Sequence, residues 1–181
     1  MAEERQIREL VEKMALERDR LLALLGSLSE EEAARTPKPG DWNAKQQMSH
    51  LCEMETAYRA WVERALEEDG ANVDGLWGER PAIPLEEADQ HSVAEHVSEM
   101  RRQREKTTSL IASMKPQDFD RKASNSLFGT LTVMQWLRSY YRHDRMHYDQ
   151  VRGLDSSYKP RFVSGREPDQ RRPDARGAAA G

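Results

Sequence analysis

Apolar residues recur at intervals of three, four and seven positions along much of the chain, which is the spacing of amphipathic α-helices. In the N-terminal segment these positions are Ile7, Leu10, Val11, Met14, Leu21, Leu25 and Leu28. Comparable apolar stripes run from Val93 to Met114 and from Val133 to Val151. Alternation of apolar and polar residues over four or more positions, typical of strands, is hard to find. The pattern therefore predicts an all-α protein.

Prolines and glycines separate four candidate helices, because both residue types disfavour helix interiors. The stretches between them span roughly residues 2–26, 43–69, 92–115 and 131–152. The last three each begin with the residue pair of a capping box, in which two side chains satisfy backbone groups at the helix start. The pairs are Asn43 with Gln46, Ser92 with Glu95, and Thr132 with Gln135. Ser29 and Glu32 predict one short additional turn.

Four amphipathic helices of this length are expected to bury their apolar stripes against one another in an up-down-up-down four-helix bundle. The loop between the second and third helices, residues 70–91, is long for a bundle and is interpreted as a crossover that covers one end. We assign residues 1–160 to this single domain. Residues 161–181 are rich in Pro, Gly, Arg and Ala and have no apolar seam after Val163, so we expect a disordered tail.

The composition restricts the classes of partner. The 181 residues include 28 Lys and Arg against 32 Asp and Glu, a formal net charge of -4, which lacks the basic surface that nucleic-acid binding needs. No apolar run is long enough to span a bilayer, and the charged N-terminus lacks the apolar core of a signal peptide. With Cys52 as the single cysteine, no intramolecular disulfide can form. These features predict a cytoplasmic protein without nucleic-acid or membrane partners.

Histidines on the second and fourth helices suggest a metal site. His143 and His147 are four residues apart, so they lie one turn apart on one face, close to the apolar stripe of the fourth helix. Two such imidazoles can chelate one metal ion, although a lone His-x-x-x-His pair is more often two solvated or core histidines. His50 borders the apolar seam of the second helix and supplies a third candidate ligand. Three histidines leave a coordination position open for water or substrate, as in catalytic sites.

Other residues near this predicted site have two interpretations each. Glu55 falls within the apolar stripe of the second helix, where its carboxylate would either orient a histidine ring or pair with an arginine. Tyr58 and Tyr140 would either line the pocket or belong to the core. Cys52 lies off the centre of the seam, and we interpret it as a small filler rather than a nucleophile.

The order and spacing of these motifs resemble the DinB-like (DinB/YfiT) superfamily of metal-binding four-helix bundles. The matching segments are Asp41–Gln46 followed by His50 and Leu51, then Thr132 and Val133, Trp136 and Leu137, and His143–His147. The resemblance covers about residues 5–155 and leaves the tail unmatched. It implies that His50, His143 and His147 bind a divalent metal ion, commonly nickel or zinc, and that the protein forms a homodimer.

The resemblance also implies a class of chemistry. Similar proteins include thiol-dependent enzymes, such as bacillithiol transferases and mycothiol-dependent maleylpyruvate isomerases. The expected function is therefore a metal-dependent enzyme that acts on a small-molecule substrate together with a low-molecular-weight thiol. A metal-dependent hydrolase is the first alternative. A non-catalytic metal-binding bundle and an interaction bundle with structural histidines are the others.

Overall fold

The computed structural model describes residues 3–158 and residue 163, and helices make up most of this part of the chain. They are α1 (Glu4–Gly26), the short α2 (Glu30–Ala34), α3 (Ala44–Glu67), α4 (Val93–Ser113) and α5 (Val133–Val151). The predicted four-helix bundle is confirmed, and every long helix lies within two residues of its expected bounds. The predicted tail, residues 161–181, lies outside the described residues apart from Val163 and stays a prediction. None of the described helices has the apolar length needed to cross a membrane.

Each predicted capping box is present and fixes the start of its helix. At the start of α3, the Asn43 side chain accepts a hydrogen bond from the backbone N–H of Gln46 at 2.9 Å. The Gln46 side chain in turn accepts one from the backbone N–H of Asn43 at 3.1 Å. The same reciprocal arrangement opens α2, α4 and α5. A cap contributes only about 1 kcal/mol, but it marks the residue at which the helix begins.

Two clusters of buried apolar residues reveal the direction of each helix. At one end of the bundle, the end of α1 meets the starts of α3 and α4 in a cluster that includes Leu25, Met48 and Val93. At the other end, the start of α1 meets the ends of α3 and α4 and the start of α5. This second cluster includes Leu10, Trp61, Ile111 and Leu137. Therefore α3 and α4 run in the same direction, antiparallel to α1 and α5.

The helix directions differ from the predicted up-down-up-down order, because the long helices run up, down, down and up. The long loop after α3 is the physical reason. The 24 residues of α3 make it roughly 36 Å long, and α4 begins at the same end as α3. Residues 68–92 therefore return along the bundle rather than only covering one end, and a segment of this length can do so easily. As a result, α1 and α3 lie across a diagonal, each packed against α4 and α5.

Close contacts hold this returning segment against α3. The indole N–H of Trp61 donates to the Leu76 carbonyl at 2.6 Å, and the Thr56 hydroxyl donates to the Trp77 carbonyl at 3.3 Å. Gly78 follows with a φ of 72°, and a Cβ atom there would lie 2.5 Å from the Thr56 carbonyl oxygen. Glycine tolerates both the positive φ and the close approach, which explains its presence at this position.

A small three-stranded sheet lies beside the bundle, and the sequence pattern does not predict it. Strand β1 (Ala71–Asn72) pairs in parallel with β2 (Lys122–Asn125), and β2 pairs antiparallel with β3 (Gly129–Thr132). Strands of two to four residues are too short to show a clear alternation. Two 3₁₀ helices, Leu85–Gln90 and Pro116–Asp120, complete the connections.

A buried cluster of four charged side chains joins the long helices near the middle of the bundle. Arg18 comes from α1, Glu55 from α3, Arg104 from α4 and Asp144 from α5, and none is more than 8% exposed. Arg104 binds the carboxylates of Glu55 and Asp144 at 2.7 and 2.8 Å, and Arg18 binds the same two at 2.7 and 2.8 Å. Two positive charges thus balance two negative charges, as burial of charge requires. We call these four residues the Arg–carboxylate cluster.

Candidate metal centre

Three histidines from two helices meet at one point in the bundle. His50 belongs to α3, and His143 and His147 belong to successive turns of α5. The Nε2 atoms of His143 and His147 are 3.0 Å apart, and all three residues offer a nitrogen within 4.8 Å of the others. His50 and His147 are buried, whereas His143 is half-buried. The structure therefore brings together the three histidines that were selected from the sequence.

The helix starts and directions explain why these rings face one another. The Asn43 cap fixes the start of α3 and places His50 two turns into that helix, on a side that contacts α5. Because α5 runs antiparallel to α3, its later turns, which carry the other two histidines, lie beside the first turns of α3. A hydrogen bond from the Tyr140 hydroxyl to the Glu55 carbonyl, at 3.2 Å, joins the two helices further along. The register of α3 on α5 thus determines the site.

Burial keeps the two imidazoles on α5 neutral. It lowers the pKa of His143 to about 4, against a smaller upward effect of the neighbouring Asp144 carboxylate. For His147, burial first and the adjacent His143 second lower the pKa well below its usual range. A neutral imidazole keeps a free lone pair on one nitrogen, and this is the form that binds metal ions.

The donor set and its spacing fit a divalent ion. Imidazole nitrogens bind zinc at about 2.0–2.1 Å, so two ligands of a tetrahedral ion stand roughly 3.3 Å apart. The separation of 3.0 Å between the Nε2 atoms of His143 and His147 is close to this value. In the absence of an ion, two lone pairs at that distance would repel, so one of these nitrogens has to carry a proton. Imidazole ligands suit zinc, nickel, copper and iron alike.

The structure adds Gln47, which the sequence did not identify as a site residue. Its side-chain oxygen lies 3.1 Å from Nδ1 of His147, and its side-chain N–H donates to the Trp42 carbonyl at 3.2 Å. The Trp42 ring packs on His50, with 4.6 Å between the ring centroids. In the sequence, Gln47 could have been identified by its position one turn before His50 on the apolar seam of the second helix. A buried amide at such a position requires a hydrogen-bond partner.

The remaining residues selected from the sequence lie near the histidines but make other contacts. The Glu55 carboxylate belongs to the Arg–carboxylate cluster and accepts a further hydrogen bond from the Thr107 hydroxyl at 3.0 Å. Pairing with arginine, one of its two interpretations, is what the structure shows. The ring of Tyr58 lies 6.2 Å from that of His143 and 5.4 Å from that of Tyr140, and both tyrosines are buried.

The sequence also matches a known family over most of its length. The family model of the DinB superfamily matches residues 13–151, a range that includes all three histidines. The chain belongs to the DinB superfamily. The expectation drawn from the spacing of the sequence motifs is confirmed.

Three known proteins are similar to this DinB-superfamily chain. The uncharacterised protein YuaE of Bacillus subtilis (strain 168) is 26% identical over 145 residues, which cover 72% of this chain and 87% of YuaE. The structure of YfiT from Bacillus subtilis has a TM-score of 0.69 at 15% identity, over 85% of this chain and 88% of YfiT. YfiT is described as a probable metal-dependent hydrolase with an unusual four-helix bundle topology. TT2238, a four-helix bundle protein, has a TM-score of 0.62 at 19% identity, over 81% of this chain and 98% of TT2238.

Two other features of this DinB-superfamily chain lie apart from the histidines. Cys52 is 1% exposed among apolar side chains, and burial raises the pKa of its thiol, so the thiol stays protonated. A groove of about 680 Å³ between α3 and α4 is lined in part by Arg59, Arg102 and Lys106. Within it, Glu79 accepts hydrogen bonds from Arg59 and Lys106. The groove is thus a surface of paired charges and does not extend the histidine site.

Proposed function

We propose that this protein is a divalent-metal-dependent enzyme acting on small molecules, with His50, His143 and His147 as ligands of a nickel or zinc ion. The observation that carries the proposal is the convergence of three imidazoles, each with a nitrogen within 4.8 Å of a nitrogen of the other two. Two of these imidazoles are buried and the third is half-buried, and burial of polar groups is costly unless they have hydrogen-bond or metal partners. A divalent cation is the partner that three nitrogen lone pairs fit.

The number of protein ligands favours a catalytic ion over a structural one. Structural zinc sites use four protein ligands, whereas catalytic sites use three and keep one position for water or substrate. Within the described residues, the potential ligands at this point are the three histidines. A bound ion would act as a Lewis acid that favours the ionised form of a thiol or of water and polarises a carbonyl. His143, the most exposed of the three, marks the side from which a small molecule would approach.

We favour thiol transfer as the reaction class. The protein's own thiol, Cys52, is buried and protonated, whereas a nucleophilic thiol must be accessible and ionised. The nucleophile therefore has to come from a second substrate, and a low-molecular-weight thiol meets this requirement. Thiolate is also a favourable ligand for zinc. The resemblance of the sequence motifs to thiol-dependent DinB-like enzymes supports the same choice.

Metal-dependent hydrolysis is the second candidate function. YfiT, which shares the fold, is described as a probable metal-dependent hydrolase. The same three histidines would serve this reaction, with water as the nucleophile in place of a thiol. The two candidates differ in one requirement, because thiol transfer depends on an added thiol and hydrolysis proceeds without it.

Elemental analysis of protein purified without a histidine tag tests the metal site. We expect about one nickel or zinc ion per chain. The ion should be lost from each of the variants His50→Ala, His143→Ala and His147→Ala. His91→Ala is the matched control, because this partly exposed histidine lies near Glu95 and away from the cluster. Full metal occupancy in the His50→Ala/His143→Ala double variant would contradict the ligand assignment.

Reaction assays with metal-loaded protein separate the candidate functions. With a panel of low-molecular-weight thiols and a model electrophile, thiol transfer predicts faster conjugation that is lost in His147→Ala and retained in Cys52→Ala. Turnover of esters or amides without any thiol would instead support hydrolysis. The absence of a metal-dependent rate in both screens would favour a non-catalytic metal-binding bundle. The absence of bound metal would favour an interaction bundle with structural histidines.

A further inference from the structure

Gln47 connects the start of α3 to the histidine cluster through two hydrogen bonds. Its side chain is buried, with the residue 5% exposed. One bond, at 3.2 Å, runs from its side-chain N–H to the Trp42 carbonyl, and the other, at 3.1 Å, joins its Oε1 to Nδ1 of His147. Trp42 precedes the cap residue Asn43, whose own carbonyl accepts the first helical hydrogen bond. The Trp42 carbonyl therefore lies outside the helix ladder and accepts from the Gln47 side chain.

The Trp42 carbonyl determines which way the Gln47 amide points. A carbonyl oxygen only accepts hydrogen bonds, so the amide must present its NH₂ group to Trp42. Its oxygen is then fixed toward His147, and this oxygen also only accepts. Nδ1 of His147 must therefore carry the proton of the neutral ring, and Nε2 must keep the lone pair. One backbone carbonyl thus selects one tautomer of a histidine through two successive hydrogen bonds.

We infer that Gln47 is a positioning residue of the metal site, which holds His147 in the Nδ1–H tautomer and aims its Nε2 at the point shared with His50 and His143. Nε2 is the atom that lies 3.0 Å from Nε2 of His143, so the nitrogen left unprotonated is the one that faces the cluster. Histidines that bind metal generally need such a hydrogen bond on the second nitrogen. The inference rests on the proposed function, because the tautomer serves to bind a metal ion. The tautomer itself is set by Gln47 and exists in the protein without metal.

An amide in this position differs from the carboxylate that often holds a metal-binding histidine. A carboxylate adds negative charge and raises the basicity of the ring, whereas an amide orients the ring without adding charge. A divalent ion there would then gain no negative charge from the group that holds His147. Such an ion favours the ionised form of an approaching thiol more strongly than a partly neutralised one would. Gln47 therefore suits the electrophilic role proposed for the site.

Nitrogen NMR of the metal-free protein tests the tautomer directly. With ¹⁵N-labelled histidine at about pH 8, above the ordinary pKa of an imidazole, we expect His147 to show a protonated Nδ1 and a bare Nε2. The His147→Ala spectrum assigns the signals. Gln47→Leu cannot accept a hydrogen bond and should lose this single tautomer, whereas Gln47→Glu still accepts and should keep it. Protonated Nε2 on His147 in the wild-type protein would overturn the inference.

Zinc affinity, measured by competition with a chromophoric chelator, tests the consequence for the metal site. We expect Gln47→Leu to weaken zinc binding about 10- to 100-fold, and Gln47→Glu to bind at least as tightly as wild type. Gln117→Leu is the matched control, because it is the same change at an exposed position of the 3₁₀ helix Pro116–Asp120 and should leave affinity within about twofold. Equal affinity of wild type and a folded Gln47→Leu would refute the positioning role.

These outcomes separate the inference from the proposed function. If the wild-type protein binds no zinc, the proposed function fails for zinc while NMR still decides the tautomer. If it binds zinc but His147 carries its proton on Nε2, the metal site stands and the role of Gln47 is refuted. Should Gln47→Leu fail to fold, the wild-type and Gln47→Glu spectra still decide the question.

Discussion

Replacement of Arg104 by methionine tests how strongly the Arg–carboxylate cluster holds the bundle together. Arg104 donates to the Glu55 carboxylate at 2.7 Å, to the Asp144 carboxylate at 2.8 Å and to the Met14 carbonyl at 2.9 Å. These three groups belong to three different helices. Methionine retains much of the apolar stem but has no charge and no donor. The variant would therefore leave two buried carboxylates that share a single arginine, Arg18.

The loss of stability should be large because both carboxylates stay buried. Glu55 and Asp144 are 2% and 0% exposed, and removal of one partner from a buried ion pair costs about 3–5 kcal/mol. The Met14 carbonyl loses its donor as well, which acts in the same direction. A domain of this kind has a free energy of unfolding of about 5–15 kcal/mol. We therefore expect Arg104→Met to lose about 3–5 kcal/mol, a substantial fraction of the total.

Urea denaturation at neutral pH, followed by circular dichroism, measures this loss. Arg101→Met is the matched control, because it is the same change at an exposed position of α4 and should alter stability by no more than about 0.5 kcal/mol. The double variant Arg104→Met/Glu55→Gln removes one charge of each sign and leaves Arg18 paired with Asp144. It should be more stable than Arg104→Met, with a coupling of about 0.5–3 kcal/mol. Equal losses in Arg104→Met and Arg101→Met would refute the reasoning.

Three further expectations concern pH, the returning segment and the ion. As the pH falls from about 6.5 to 4, the metal-free protein should lose stability, because unfolded His143 takes up a proton that the folded residue, with a pKa of about 4, does not. Below about pH 4.5 stability should fall again as Glu55 is protonated, because the cluster's arginines outweigh burial and hold the pKa of its carboxyl below the usual range. Equal stability at pH 7 and pH 3 in urea denaturation would contradict both pH expectations. In thermal denaturation, Gly78→Ala should destabilise by at least about 1 kcal/mol more than Gly70→Ala, since both have positive φ but an added Cβ meets an α3 carbonyl oxygen only at Gly78. Removal of the ion by a chelator should leave the helix content unchanged. It should lower the free energy of unfolding by about 2.7 kcal/mol relative to protein in a free metal concentration of 100 times the Kd.

The helices could be predicted from the sequence because their signals are local. A capping box links residues three apart, and the apolar stripe repeats within one or two turns. Asn43 with Gln46 therefore located the start of α3, and the spacing of His143 and His147 placed two rings on one face of α5. Such signals do not depend on where the rest of the chain goes.

The helix directions and the sheet depend on where the chain goes between elements. The same four amphipathic stripes can be buried by alternating helices or by the observed up, down, down, up order. Only the path of residues 68–92 distinguishes the two arrangements. The sheet pairs Ala71 with Ala123, a contact across 52 positions between strands too short to have a pattern of their own.

The partners of buried polar residues were equally hard to predict. Glu55 on an apolar stripe clearly needed a partner, and arginine was one of the alternatives. The actual partners are Arg18, 37 positions earlier, and Arg104, 49 positions later. In the same way, the pairing of Gln47 with His147 joins residues 100 positions apart. Sequence shows that a buried polar group needs a partner, whereas the packing of the helices decides which partner it has.

The expectation that the metal-free protein stays folded follows from how α5 is held. Asp144 lies between the two histidines of α5 in the sequence, but its carboxylate bonds to arginines on α1 and α4, whereas His143 and His147 face α3. The Arg–carboxylate cluster thus fixes the rotation of α5 about its axis, and Gln47 orients one ring, both without an ion. In zinc fingers, by contrast, the ligands assemble only when metal binds. Chelation should therefore preserve the far-ultraviolet circular dichroism and the cooperative unfolding transition, whereas a loss of helix would show that the ion itself holds the bundle together.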